Sequence, residues 1–241
     1  MDEKNAVDYE MKLHVAKSIR MLDYVGLLDM NGHVSLRVPG EETFLINSRK
    51  ASRASVTVGH IVRCDLDGRL VAGEDEPPSE VHIHAAIYQA RSDVSSVVHS
   101  HPHWQTVLGI AGIDVKPVFG IGAFVDHIET YELSSLINTP EMGAEIAQLL
   151  KESFAVHLRH HGSVVVGDNV ESAFARSVFM EENAKKQYFA SLLDANHWVL
   201  EGENLERTRR TTWSPSIVQK VWTYYEEKAG RVGALDQVAT S

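Results

Sequence analysis

Four residues far apart in the chain carry donor atoms that suit one divalent ion. His99-Ser100-His101-Pro102 closes the short strand-like run Val94 to Val98. Two histidines two apart on a strand project to the same side, so both imidazoles can reach a single ion. Upstream, Pro77-Pro78-Ser79-Glu80 supplies a carboxylate where a helical pattern begins, and downstream His160-His161-Gly162 closes another strand-like run. Glu80, His99, His101 and His161 together make a nitrogen-and-carboxylate set suited to zinc, manganese, iron or cobalt. One divalent ion per subunit is therefore expected. The remaining histidines of this region have plainer readings. His82 and His84 fall inside the helical pattern and read as packing and hydrogen-bonding residues, while His103, His157 and His160 are candidates to orient the ligands.

The elements that must position these residues follow from periodicity. Apolar residues at Met11, Val15, Ile19, Leu22 and Val25 predict a helix over Tyr9 to Leu28, ended by Gly26 and Asn31-Gly32. Strands are predicted over Val34 to Val38, Thr43 to Asn47, His60 to Asp65 and Arg69 to Ala72, the last two joined at Asp67-Gly68. Ser79 is the predicted N-cap of a helix with Val81, Ala85, Ile87 and Tyr88 on its buried face. Helices are also predicted over Trp104 to Ile110, Met142 to Leu150, Ala173 to Leu193 and Ile217 to Glu226, with strands over Val94 to His99, Ala155 to His160 and Ser163 to Val166. This irregular alternation indicates an α/β fold, a sheet covered by helices rather than a strict doubly wound one. No repeat or linker interrupts it, so residues 1–229 are read as one domain and the small, polar stretch 230–241 as a mobile tail.

Composition narrows the partners. A formal net charge of −10 disfavours nonspecific nucleic-acid binding, and the densest basic runs, Arg49-Lys50 with Arg53 and Arg207-Thr208-Arg209-Arg210, are short. The single cysteine, Cys64, cannot form an internal disulfide. No apolar run approaches membrane-spanning length and no signal segment opens the chain, so a soluble, cytoplasmic protein without membrane or nucleic-acid partners is expected.

Pro78-Ser79-Glu80, His84, Ile87-Tyr88, Asp93-Val94 and Val97-Val98-His99-Ser100-His101-Pro102 resemble the core of the class II aldolase/adducin superfamily. The resemblance continues in Ile61 to Gly68, in His161-Gly162 with Gly167, and in Glu171 to Glu181 with Ala184. It implies a single three-layer αβα domain with a mixed, largely antiparallel central sheet, assembled as a homotetramer with active sites between subunits. His99, His101 and His161 match the family's metal-binding histidines, and Glu80 its acid/base carboxylate, which in some members also ligates the metal. The adducin branch has lost these ligands; this chain keeps them, which implies an enzyme.

Departures from the sugar-phosphate members bear on the substrate. Their phosphate loops read Gly-Asn, Ser-Gly and Ser-Ser, whereas this chain has Gly32-His33, Ser48-Arg49 and Pro78-Ser79. Arg49 in place of glycine fills the space a phosphate would use and offers a planar fork for a carboxylate. The segment Leu45 to Arg53 resembles the branch that decarboxylates hydroxylated aromatic acids, such as 3,4-dihydroxyphthalate decarboxylase. The implied function is a metal-dependent carbon–carbon lyase, a decarboxylase of an aromatic or heteroaromatic (di)carboxylic acid in aromatic-compound catabolism. The ion would stabilise the phenolate or enolate as a Lewis acid. His33, Ser48, Arg49 and Ser79 are the candidate substrate contacts. Glu80 is the candidate for proton transfer, with His127, beside Asp126, as a second donor that would reach a neighbouring subunit's site. Trp213, Tyr224 and Tyr225 are candidate walls of an aromatic pocket. The alternative is a class II aldolase or epimerase acting on a sugar phosphate or related hydroxy-carbonyl compound.

Overall fold

The structure, a computed structural model, describes residues 3–193 and 198–240. It contains the helices α1 (Glu3–Tyr24), α2 (Val81–Ala90), α3 (His103–Ile110), α4 (Pro140–Leu150), α5 (Val170–Ser191), α6 (Gly202–Thr212) and α7 (Pro215–Arg231). Its strands are β1 (His33–Arg37), β2 (Thr43–Asn47), β3 (Ile61–Asp65), β4 (Leu70–Ala72), β5 (Ser96–Ser100), β6 (Glu129–Tyr131), β7 (Ala155–Leu158) and β8 (Gly162–Gly167). They form one sheet in the order β4-β3-β2-β1-β5-β8-β7-β6. Every pairing is antiparallel except the parallel β6–β7 pair at one edge.

Alternation along the strands builds two apolar faces. Leu45 and Val98 pack with Val15, Ile19 and Leu22 of α1 and Phe174 of α5. Phe44, Ile46, Val97, Val164 and Val166 point the other way, onto Ile83 and Ile87 of α2 and Ile146 of α4. A third group joins Leu108 of α3 to Val165 and to Met180 of α5. Helices thus cover both faces, giving three layers and a mixed, largely antiparallel sheet. Full burial of each such side chain contributes about 1.5–3 kcal/mol before entropy is counted, so the two faces hold the sheet in register. No helix among the described residues is long and apolar enough to cross a membrane.

Three sequence expectations change. The N-cap of α2 is Glu80 rather than Ser79. Strand β5 runs Ser96–Ser100 rather than from Val94 to His99, so His101 lies just beyond its end. The segment after α7 is docked rather than loose: Val238 is buried, its carbonyl accepts Val58 N–H at 3.0 Å, and Tyr9 donates to the Ala239 carbonyl at 2.8 Å. Its backbone makes the hydrogen bonds, while Val238 enters the core and Ala234 and Leu235 pack against it. Strand β6 and helix α6 escape periodicity altogether. One is a three-residue edge strand, and the other buries only Leu205, so it has no apolar stripe.

Gly162 opens β8 against the end of β5. A Cβ at this position would lie 2.1 Å from the Ser100 carbonyl oxygen and 3.1 Å from the His101 Cα, both backbone atoms. Gly162→Ala should cost about 1–3 kcal/mol, the range for inserting a methyl group where the surroundings cannot give. Urea denaturation measures it; a loss below about 0.5 kcal/mol, the scale of an ordinary surface substitution, would show that the strands can separate without penalty.

Candidate metal centre

The site forms where β1, β5, the β7–β8 turn and the start of α2 converge. His33 of β1 pairs directly with His99 of β5, and residues opposite each other on antiparallel strands share a face. Gly32 makes this register accessible. Its φ is +84°, and a Cβ there would meet Leu28 Cδ2 at 2.4 Å and the His99 carbonyl oxygen at 3.0 Å. His161 is aimed by the tight β7–β8 turn, where His160 adopts a left-handed φ of 60° and His161 N–H donates to Leu158 O at 3.1 Å.

The rings of His99, His101 and His161 form a near-equilateral triangle, with centroids 5.0 to 5.1 Å apart. Donor atoms of the three lie within 4.8 Å of one another. Glu80 places Oε2 3.3 Å from His99 Nε2 and Oε1 3.7 Å from His161 Nε2. Two contacts outside the cluster orient it. His99 Nδ1 lies 3.1 Å from the Ser163 carbonyl, to which it can donate only as Nδ1–H, leaving a lone pair on Nε2. His101 Nδ1 sits 3.4 Å from both carboxylate oxygens of Asp29.

The donor set fits a divalent cation. His99 Nε2 and His101 Nε2 are buried without a hydrogen-bond partner among the described residues, and His161 turns its Nε2 toward Glu80. Buried polar atoms are rarely left so, and lone pairs converging beside a carboxylate are what a cation satisfies. Protonation states agree. Burial lowers His161 to about 4 and holds His101 below its ordinary value, so both are neutral at neutral pH, as ligands must be. Burial alone would raise Glu80, but the adjoining His33 and His99 imidazoles outweigh it and hold the carboxyl well below the usual range, hence ionised.

A cavity of about 440 Å³ opens onto the cluster. Its walls include the predicted residues His33, Arg49, Ser79, Glu80, His101 and His161. Ser48 is not among them: it is buried beyond β2, with its N–H donated to the His60 carbonyl at 2.8 Å. Arg49 lies exposed at the rim, its Nε donating to Pro77 O at 3.2 Å. Lys50 points to solvent and pairs with Asp75. Of the three histidines read as orienting neighbours, only His160 lines the cavity; His157 is buried against Gly109 and His103 packs on Trp104. Within one chain His127 is remote from this site. It is 91 % exposed beside Asp126 and lines a separate cavity of about 730 Å³ together with Phe124, Arg176 and Trp213, sharing no wall residue with the first. Tyr225 packs on Phe174 instead of walling either cavity.

Three contributors were not foreseen. Arg53, which reads equally well as a solvated loop residue, is 4 % exposed and lines the cavity, with Nε donating to Gly32 O at 2.8 Å. Asp29 orients His101. The 132–139 loop contributes Ser134 and Leu136 to the cavity wall and, through Ile137 N–H, a 3.0 Å hydrogen bond to Glu80 Oε1. Asp29 had a faint local signal, an Asx turn to Asn31 before Gly32; the loop contact is purely tertiary.

Comparison with known proteins agrees with this geometry. Residues 14–188 match the model of the class II aldolase and adducin N-terminal domain, and the chain belongs to this family. It is 29 % identical over 184 residues to 3,4-dihydroxyphthalate decarboxylase of Arthrobacter keyseri, covering 69 % of this chain and 73 % of that one. It is 27 % identical over 129 residues to L-fuculose phosphate aldolase of Methanocaldococcus jannaschii, covering 52 % of this chain and 67 % of that one. The fold superposes on L-fuculose 1-phosphate aldolase of Glaciozyma antarctica PI12 with a TM-score of 0.83 at 19 % identity, over 98 % of this chain and 95 % of that one.

His99→Ala and His161→Ala should each abolish stoichiometric zinc or manganese binding, read by calorimetry, while the circular dichroism spectrum stays native. Asp29→Ala should weaken the metal by about 10–100-fold, the usual effect of removing a residue that orients a ligand. Stoichiometric binding in both histidine variants would remove the metal assignment. Stability of the metal-free protein should fall with pH below about 6.5, the ordinary histidine value. Burial lowers His33 to about 3, His84 well below its ordinary value, and His157 likewise. The unfolded chain takes up those protons first, so falling pH favours it. Asp23 and Glu181, raised by burial, oppose this as two groups against five lowered histidines, which include His101 and His161. The urea midpoint should be lower at pH 5.5 than at 7.5; an unchanged midpoint would contradict the buried neutral histidines.

Proposed function

We propose that this protein is a metal-dependent decarboxylase of a hydroxylated aromatic or heteroaromatic dicarboxylic acid. The observation that carries this reading is the placement of two guanidinium groups, Arg49 at the rim and Arg53 in the wall, on the cavity that opens onto the His99–His101–His161 cluster. Arginine forks match carboxylates, and a buried one holds its partner without competing water. The family model supports a small-molecule enzyme, and the resemblance to 3,4-dihydroxyphthalate decarboxylase supports an aromatic acid.

A divalent ion bound by His99, His101, His161 and Glu80 would supply Lewis-acid stabilisation of charge developing on the substrate's oxygen. The chain's own groups would do the rest. Arg49 and Arg53 anchor the carboxylate that remains. Glu80, ionised at rest, accepts the proton of the substrate hydroxyl and returns it to the ring carbon that bears the departing carboxylate. Loss of CO2 from that carbon then leaves its bonding electrons to restore aromaticity, and solvent reprotonates the product oxygen. Ser79 and His33 border the same cavity as polar contacts. His127 would take part from a neighbouring subunit of the tetramer that the family resemblance implies.

Release of CO2 from 3,4-dihydroxyphthalate and related ortho-hydroxy aromatic diacids tests the reading, with protein loaded separately with manganese and zinc and with a chelator control. Metal-dependent release is the expected outcome. No release from metal-loaded protein, with cleavage of L-fuculose 1-phosphate instead, would establish the sugar-phosphate aldolase. In the decarboxylase, Arg49→Gly should raise KM for the diacid about tenfold, the worth of one charge-assisted hydrogen bond, with bound metal unchanged; an unchanged KM would remove its anchoring role.

A further inference from the structure

Behind Glu80 runs a file of polar side chains that metal binding does not use. Glu80, His84 and Tyr88 stand four residues apart, one stripe along α2 from its cap. His33 and Ser35, two apart on β1, face that stripe. His33 Nδ1 lies 2.7 Å from His84 Nε2, and His84 Nδ1 lies 2.6 Å from Ser35 Oγ. Ser35 Oγ lies 2.6 Å from Tyr88 Oη, which lies 3.3 Å from the Ser95 carbonyl oxygen. At the near end, His33 Nε2 sits 3.7 Å from Glu80 Oε2. None of His33, Ser35, His84 and Tyr88 is more than 3 % exposed.

Each link holds one proton, so the file has two self-consistent polarities. In the first, Tyr88 donates to Ser35, Ser35 to His84 Nδ1, His84 Nε2–H to His33 Nδ1, and His33 Nε2–H faces Glu80. In the second every direction reverses, Tyr88 donates to the Ser95 carbonyl, and His33 presents a bare Nε2 lone pair. Both ends are acceptor-only, but the Ser95 carbonyl already accepts Arg37 N–H at 2.7 Å, whereas the ionised Glu80 draws a donor more strongly, which selects the first. We infer that His84 is a positioning residue: backed by Ser35 and Tyr88, it holds His33 as an Nε2–H donor toward Glu80 rather than as a metal ligand.

The distinction matters because His33, Glu80 and His99 also lie in ligand-like proximity, with donor atoms within 4.8 Å. A bare Nε2 on His33 would draw the ion inward, away from His101 and His161. A donor there instead repels the ion and orients Glu80 for its proton transfers. The file is not a proton conduit. It ends on a buried phenol that burial pushes well above its ordinary value, so it has no net proton to deliver. This inference deepens the decarboxylase reading and rests on it for the role of Glu80, but its first test does not depend on activity.

Long-range proton–nitrogen spectra of histidine-labelled, metal-free protein report the tautomers directly. Expected are protonated Nε2 and bare Nδ1 on both His33 and His84. Protonated Nδ1 on His33 would overturn the inference. His84→Gln keeps an amide N–H toward His33 Nδ1, whereas His84→Leu does not. Gln should preserve the His33 tautomer and stay within about threefold of the parent kcat. Leu should release that tautomer and lower kcat about 10–100-fold, the scale for orienting residues, with KM and zinc stoichiometry little changed. Equal kcat losses in both variants with the His33 tautomer unmoved would mean packing alone and would overturn it. Inactivity of the parent protein on every aromatic acid would count against the decarboxylase reading, while the tautomer spectra would still decide this one.

Discussion

The burial of one carboxylate organises this molecule. Glu80 is 6 % exposed at the cap of α2, and an ionised group there is destabilising unless the surroundings replace its lost water. The positive end of the helix dipole offsets part of that cost. The rest comes from neighbours on three other elements: the Ile137 N–H, His33 on β1, and His99 on β5 with its ring companions. The direct pairing of His33 with His99 is therefore more than a sheet contact. It places two imidazoles on the one face from which both can reach the carboxylate.

The same arrangement separates ligands from supports. His99 is committed on its outer nitrogen to a backbone carbonyl, and His101 to Asp29, so their inner nitrogens are free to bind a cation. His33 is committed to His84 instead, inside a file of buried hydrogen bonds with no charge of its own. Buried networks of this kind are costly when half-satisfied and rigid when complete. Here completeness depends on a helix stripe of four-residue spacing meeting a strand of two-residue spacing. The packing of α2 on the sheet through Ile83 and Ile87 is what brings the two spacings into line.

The cavity carries the substrate preference proposed for this chain. The αβα scaffold superposes on a sugar-phosphate aldolase over nearly the whole chain, and in this chain the walls facing the histidine cluster carry arginines at positions 49 and 53. Arg53 is held by backbone carbonyls of its own loop and of Gly32, so its guanidinium is part of the framework. Arg49 is tethered at one nitrogen and otherwise faces the opening. One cation is thus fixed and one is adjustable.

Much of this was legible in the residues. Strand β2 was predicted with its observed limits, and β3, β4, α3 and α4 within one or two residues, because their apolar periodicity is strong and local. The three histidines and Glu80 stood out as donor types beside turns at element ends, and the structure brings all four together. Other features depended on packing. Short β6 and polar α6 bury too little to leave a pattern, and one buried valine, Val238, with backbone bonds docks the terminal segment without any periodicity. By itself, the sequence determined the elements, the kind of ligands and the change from glycine to arginine in one loop, since these follow from residue type and spacing. Only the tertiary structure decided that Ser48 turns away, that Arg53 turns inward, and that His84 braces His33. Those outcomes depend on which distant backbone fills the space beside each side chain, and periodicity along one chain carries no record of that.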